Sequence, residues 1–368
     1  MSNIPKLRFP EFSGEWEEKK LGECLTLLYG KDWKDKSSTK KLYPVLGTGG
    51  VISYIDEFIY DKPCVLIGRK GSINNPVFID KPFWTVDTQF YSEIHEGYSP
   101  KFLYYIFCTE NWSKHDESTG VPSLSAKNVE NTHKHIPSFP EQQKIADFLS
   151  NVDSIITAET KILKTLQKKK KALMQKLFTR QLRFKSDDGT DFPAWEEKKL
   201  GECVEILDSQ RKPIESKERA NRKGEYPYYG ASGIIDYIDD YLFEGESILL
   251  GEDGANIINR NSRLAFIATG KYWVNNHAHI MKANADNLNY FICEYLESLD
   301  YSKICAGSAQ PKLTQDVIRN LTIKAPCKEE QQKIADCLSS MDSLIQTQQK
   351  VVTTWQQRKK ALLQQMFI

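Results

Sequence analysis

The sequence predicts an α+β chain: two tandem mixed α/β domains separated by two long helices that pair, in a pseudo-twofold, nearly cyclic molecule. Three observations predict it. The segment Glu141-Gln142-Gln143-Lys144-Ile145-Ala146-Asp147 recurs as Glu330 to Asp336, 189 residues on (330 − 141), and Trp16 to Cys24 recurs as Trp195 to Cys203. A repeat of that length marks a duplicated structural unit. From Glu141 to Phe178 there is no Gly or Pro, and apolar residues step by four and three, as a coiled-coil seam requires. Between these helical segments lie stretches of short apolar and aromatic runs broken by Gly, Pro and Asn, the pattern of strands and turns.

The elements follow in order as an N-terminal segment 1–15, a first domain 16–140, a helical spacer 141–180, a second domain 181–329 and a second helical spacer 330–368. Leu7-Arg8-Phe9 resembles Leu182-Arg183-Phe184, which follows the first spacer, so the chain ends look like a cut in a ring. The N-terminal segment is therefore expected to dock beside the end of the last helix. Within the domains, Val51 to Ile59 matches Ile234 to Leu242, and both alternations read as strands.

The spacer seam runs Ile145, Leu149, Val152, Ile156, Leu163, Leu166, and its second copy Ile334, Leu338, Met341, Ile345, Val352, Trp355. Where an apolar residue is due, the first copy has Glu159 and Lys170, and the second has Gln348 and Lys359 at the same offset. Polar seam residues cost stability but penalise wrong registers. Pro140 and Pro326 precede the two helices, and Glu141 and Glu330 put negative charge near the positive helix end.

Bulk properties bound the function. With 368 residues, 40% apolar and 27% charged, the chain is long enough for two globular cores. The start Met1 to Lys6 has no apolar stretch of signal-peptide length, and no run approaches a membrane span, so a cytoplasmic protein without a membrane partner is expected. Eight cysteines without a CxxC read as reduced, mostly buried thiols. A net charge of +1 does not by itself announce a nucleic-acid binder.

Catalytic equipment is not found, and none is assigned. There is no phosphate loop, and Glu17-Glu18-Lys19 and Glu196-Glu197-Lys198 lack an acidic metal-binding partner, so an edge-strand or cap role is expected. His133-x-His135 and His277-x-His279 lack a third ligand, and no metal is assigned.

Together these features resemble the DNA-specificity subunit of type I restriction-modification systems. The resemblance covers the whole chain: Trp-Glu-x-x-Lys-Leu-Gly-Glu opening each domain, Glu-Gln-Gln-Lys-Ile opening each rod, Lys-Lys-Ala-Leu closing it, and Gly307-Ser308-Ala309-Gln310-Pro311-Lys312-Leu313 near a domain's end. It implies a non-catalytic subunit whose two target-recognition domains each read one half of a bipartite asymmetric site on double-stranded DNA. The helices would pair antiparallel, set the gap and dock two methyltransferase subunits, with restriction translocase subunits joining that core. Cofactors are implied on the partners, S-adenosylmethionine for adenine N6 methylation and ATP with Mg2+ for cleavage, and none on this chain. The alternative is an interaction scaffold with duplicated domains for ligands other than DNA.

The sharpest candidate for reading DNA is a Gly-x-x-Gly turn, Gly68-Arg69-Lys70-Gly71 in the first domain and Gly251-Glu252-Asp253-Gly254 in the second. The frame recurs with reversed charge. Arg69 or Lys70 suits guanine or phosphate, and Glu252 or Asp253 could accept from cytosine N4. Ser72 and Asn74 follow the first turn, and Asn256 follows the second. Asn275, Asn276 and His277, which stand where the first copy has Val86, Asp87 and Thr88, suit adenine edges or an Asx-turn. The domain-closing stretches add Ser308, Gln310 and Lys312, and in the first copy Ser123, Ser125 and Lys127. Arg260 and Arg263 are expected to clamp phosphate.

Overall fold

The computed structural model describes residues 3–304 and 311–368, so the Ser308 and Gln310 candidates lie outside the described residues. It divides into two compact units, 1–161 with 350–368, and 162–349. Each holds one globular domain and one end of each long helix.

In the first unit, Glu17–Lys20 forms a strand antiparallel to His133–Ile136, so the domain's first and last strands lie side by side. The Glu-x-Lys motif is thus edge-strand sequence. A helical turn follows at Leu21–Cys24, where the Glu23 carboxylate accepts from Lys20 N–H at 2.8 Å. A four-stranded antiparallel sheet runs in the order Leu25–Tyr29, Gln89–Ile94, Cys64–Gly68, Val77–Ile79. Its Val65, Ile67 and Phe90 share a core with Phe102, Leu103 and Ile106 of helix Pro100–Thr109. That helix is capped at its start: Ser99 accepts from Phe102 N–H and Pro100 takes the first helical position, where its missing donor costs nothing. Each fully buried Leu, Ile or Phe contributes about 1.5–3 kcal/mol. A smaller sheet pairs Tyr43–Gly47 with Gly50–Ile55 antiparallel and with Trp84–Thr85 in parallel.

The second unit repeats this plan. Glu196–Lys199 pairs with Thr322–Ala325, and the four-stranded sheet runs Val204–Ile206, Ala278–Ala283, Ser247–Gly251, Ala265–Ala268 under helix Asn289–Ser298. The runs expected as strands at Val51–Ile59 and Ile234–Leu242 are shorter, Gly50–Ile55 and Gly233–Ile238. They lie at sheet edges, so Val51, Ile52 and Tyr54, like Ile234, Ile235 and Tyr237, stay exposed while Ile55 and Ile238 are buried. Cysteines 24, 64, 203 and 293 are buried, and burial pushes the Cys64 thiol up to about 12.

The long helices are Phe139–Phe178 and Lys328–Met366. Pro140 therefore lies inside the first turn rather than before it, a position where the absent N–H has no helical acceptor to lose. All twelve expected seam residues are buried or half-buried. Asp153 and Lys359 meet at 2.6 Å in the first unit, and Lys170 and Asp342 at 2.6 Å in the second. Both pairs sum to 512 (153 + 359, 170 + 342), so each unit pairs the helix ends antiparallel in one register.

The duplicated Glu-Gln-Gln is a joint. Glu141 is nearly inaccessible and accepts from Arg8 at 2.7 and 2.8 Å and from Trp16 Nε1 at 3.3 Å. Glu330 accepts from Arg183 at 3.1 and 2.7 Å and from Trp195 Nε1 at 3.1 Å. These carboxylates are paired, which is a stronger reason for their identity than the helix end alone. Gln142 and Gln331 then bridge the Pro137 and Pro326 carbonyls, at 3.0 Å each, to the start of the helix over the sheet, Ser99 N–H at 2.9 Å and Leu288 N–H at 3.1 Å. In the first unit Leu7 N–H donates to Gln365 O at 2.9 Å, and in the second Leu182 N–H donates to Lys176 O at 3.1 Å, where 176 + 189 is 365. The N-terminal segment thus closes the last helix as the covalent turn closes the central one.

Candidate nucleic-acid interface

Strands Cys64–Gly68 and Ser247–Gly251 each end in the Gly-x-x-Gly turn, and three separate loops converge there. In the first unit, Arg69 and Lys70 N–H donate to Thr88 O at 2.8 and 3.1 Å, Gly71 N–H to Pro122 O at 2.8 Å, and Leu124 N–H to Arg69 O at 2.8 Å. In the second, Glu252 N–H donates to His277 O at 2.9 Å, Gly254 N–H to Pro311 O at 3.3 Å, and Leu313 N–H to Glu252 O at 2.8 Å. The partners correspond one to one. Gly71 and Gly254 have φ of +86° and +100°, where a side chain would be strained. The turn, the 275–277 loop and the domain-closing stretch, separate in sequence, are thus one cluster.

The side chains on this shared frame differ. In the first unit the Arg69 guanidinium lies 5.3 Å from the centre of the Tyr29 ring and donates to Asp87 O at 3.1 Å, while Lys70 and Ser72 are exposed. Lys70 forms an antiparallel main-chain bridge with Ser123. Ser125 caps helix Ala126–Glu130 by accepting from Asn128 N–H, leaving Lys127 exposed on it. Asn74 is taken up by the Trp112–His115 turn, accepting from Ser113 N–H at 3.1 Å. Asn74 and Ser125 therefore shape the site.

In the second unit the turn is not a bare acid. Glu252 has 12% side-chain exposure and holds Arg211 at 2.9 Å and Lys312 at 3.2 Å. Each of its two oxygens thus holds one cation inside the cluster. Asp253 accepts from His277 Nδ1 at 2.9 Å. Asn275 is buried and accepts from His277 N–H at 2.8 Å, the Asx-turn alternative, whereas Asn276, His277 and Lys312 face solvent. Behind them His279, 1% exposed, sets Nδ1 2.6 Å from Asp208 and Nε2 2.8 Å from Leu313 O. Burial pushes the Asp208 carboxyl up, but the bond from His279, its charge, the Ile280 N–H and Arg211 outweigh that and hold it below its ordinary value.

Arg260 and Arg263 stand elsewhere. Arg260 pairs with Glu297 at 2.8 Å and lies 5.8 Å from the centre of the Tyr301 ring, and Arg263 pairs with the buried Glu294. Both guanidiniums pair with carboxylates of helix Asn289–Ser298 and so tie that helix to the loop before the last sheet strand. Asn256 likewise closes its own loop, accepting from Ser262 N–H at 3.0 Å. Arg211, Asp208 and His279 were not singled out from sequence as DNA-site residues. Their signal was weak, because the loop carrying Arg211 has no counterpart of equal length in the first copy. Among the described residues no group of His, Cys, Asp and Glu could hold a metal, and no helix is long and apolar enough to cross a membrane.

A family model described as "Type I restriction modification DNA specificity domain" matches residues 13–168 and 194–354. The MjaVIII type I restriction enzyme specificity subunit of Methanocaldococcus jannaschii is 26% identical over 97% of this chain and 92% of its own length. A putative type I restriction enzyme specificity subunit of Haemophilus influenzae is 34% identical over 40% of this chain and 37% of that one. Among solved structures, the type I restriction-modification S subunit of M. genitalium has a TM-score of 0.67 at 17% identity, covering 99% of both chains. A chain from a study of complex assembly and conformational transition of the type I R-M system has a TM-score of 0.53 at 16% identity, covering 95% of this chain and 96% of its own.

Proposed function

The chain belongs to the type I restriction-modification DNA specificity family, whose members are non-catalytic, and on that premise we propose that each bridged turn cluster faces one half of a bipartite, asymmetric DNA site. One observation carries this: two units hold the same main-chain bridge, Gly71 to Pro122 and Gly254 to Pro311, while the side chains on it differ in charge. A constant frame with changed side chains is what reading two different half-sites requires, since phosphate contacts position and base contacts specify. The long helices set the gap between the halves and dock two methyltransferase subunits. Restriction translocase subunits join that assembly in the cytoplasm. S-adenosylmethionine and ATP with Mg2+ belong to those partners, and this chain supplies the choice of sequence.

The test is selection of duplexes from a random library by the chain reconstituted with its methyltransferase partner, repeated at two salt concentrations. The expected result is a two-part asymmetric motif with a fixed gap, with affinity falling steeply as salt rises. Enrichment of no motif, or of a continuous palindrome, would overturn the reading.

A further inference from the structure

The opposite charges of the two turns are a transposition across the same bridge, and we propose that Lys312 is the DNA-facing cation of the second domain, aimed by Arg211 through Glu252. This rests on the reading that the turn cluster faces DNA. In the first unit the bridge pairs Lys70 with Ser123, and in the second Asp253 with Lys312. Because 312 − 189 is 123, the cation has moved from the turn to the opposite loop. Both sites keep a positive group at the bridge, supplied from opposite sides.

The surroundings have changed to match. Lys312 is 53% exposed, yet its ammonium is held 3.2 Å from Glu252 Oε1 while Arg211 takes Oε2 at 2.9 Å and Ala278 O at 2.7 Å. Arg211 thus fixes the carboxylate and prevents it from pairing wholly with Lys312. The main chain of the same stretch is held from below, since Leu313 O accepts from the buried His279, whose other nitrogen meets Asp208. Where the second unit has Asp208 and His279, the strand pairing of the first puts Tyr29 and Phe90, rings 5.0 Å apart, with Arg69 over Tyr29. An aromatic bed carries a cation on the turn, and a buried charge network carries one on the opposite loop. An ammonium on a flexible stem is a point charge suited to phosphate, so Lys312 adds affinity common to all sequences. Arg211 is its positioning residue.

The experiment measures duplex affinity against salt for the chain assembled with methyltransferase. Lys312→Ala should weaken cognate and unrelated duplexes by one factor and lower the slope of log affinity on log salt by about 0.9, the value of one phosphate contact. Arg211→Gln should lower affinity in the parent and have no further effect once Lys312 is Ala, and Arg211→Lys should restore the parent value. An unchanged slope in Lys312→Ala would overturn the proposal, and so would Arg211→Gln weakening binding equally with and without Lys312. If the parent assembly itself shows no salt-dependent selection, the functional reading has failed, and that outcome is distinct from either.

Discussion

At the scale of single residues, the two turns show how a side chain's neighbours decide its role. Lys70 is exposed and bridges only through its main chain to Ser123, so its ammonium is available to a phosphate. Lys70→Ala should lower the salt slope of duplex binding by about 0.9 without altering the selected sequence. A changed motif at unchanged slope would make it a base reader. Asp208 is the opposite case, a buried carboxylate held ionised by His279, Ile280 N–H and Arg211. Its folded value is depressed, so its stabilisation is present above the ordinary carboxylate value of about 3.9 and disappears as pH falls through the folded one. Asp208→Asn should therefore melt below the parent at pH 7, and the two melting temperatures should converge as pH drops below about 4. A gap as wide in acid as at neutrality would show that the charge of Asp208 is not what stabilises the fold.

Among elements, the helix pair was the most legible part of the sequence and the turn cluster the least. Periodicity exposed both seams, and Lys170 and Lys359 stood out because a seam demands apolar residues there. Their partners were not legible. Asp342 and Asp153 flank the seam, and only the antiparallel register brings each within 2.6 Å of its lysine. The turn cluster was legible as three pieces and not as one site, because the pieces lie far apart in sequence and meet through main-chain bonds that carry no residue signature. The two lysine locks also differ in depth. Lys170 has 7% side-chain exposure and holds Glu294 as well as Asp342, whereas Lys359 has 19% and lies over the Tyr105 ring. Removing the cation from a buried carboxylate is the expensive case. Lys170→Met should cost about 3 kcal/mol of the second unit's stability, the low end of the range because Arg263 still pairs with Glu294, and Lys359→Met about 1 kcal/mol. Urea melts of the two variants should show that order, and equal losses would mean that burial of the pair does not set its strength.

For the whole molecule, the division between units passes through both helices, between residues 161 and 162 and between 349 and 350. Those points sum to almost the same value as the ion pairs, 161 + 350 being 511 against 512, so the division falls at matched positions of the two helices. Seven residues inserted in each helix there would leave the pairing inside each unit untouched and keep the seam in phase, since two heptad turns return to the same face. The rods would lengthen by roughly 10 Å at 1.5 Å per residue. That is about three base-pair rises of 3.4 Å for a helix lying along the duplex and fewer for an inclined one. Methylation by the assembled variant, read by sequencing modified bases in its DNA, should show both half-sites unchanged and the gap between them longer by one to three base pairs. Insertion into a single helix should abolish activity, because the register of 512 then cannot hold in both units at once. An unchanged gap with both helices extended would mean that the domains, and not the helices, fix the distance between the two halves of the site.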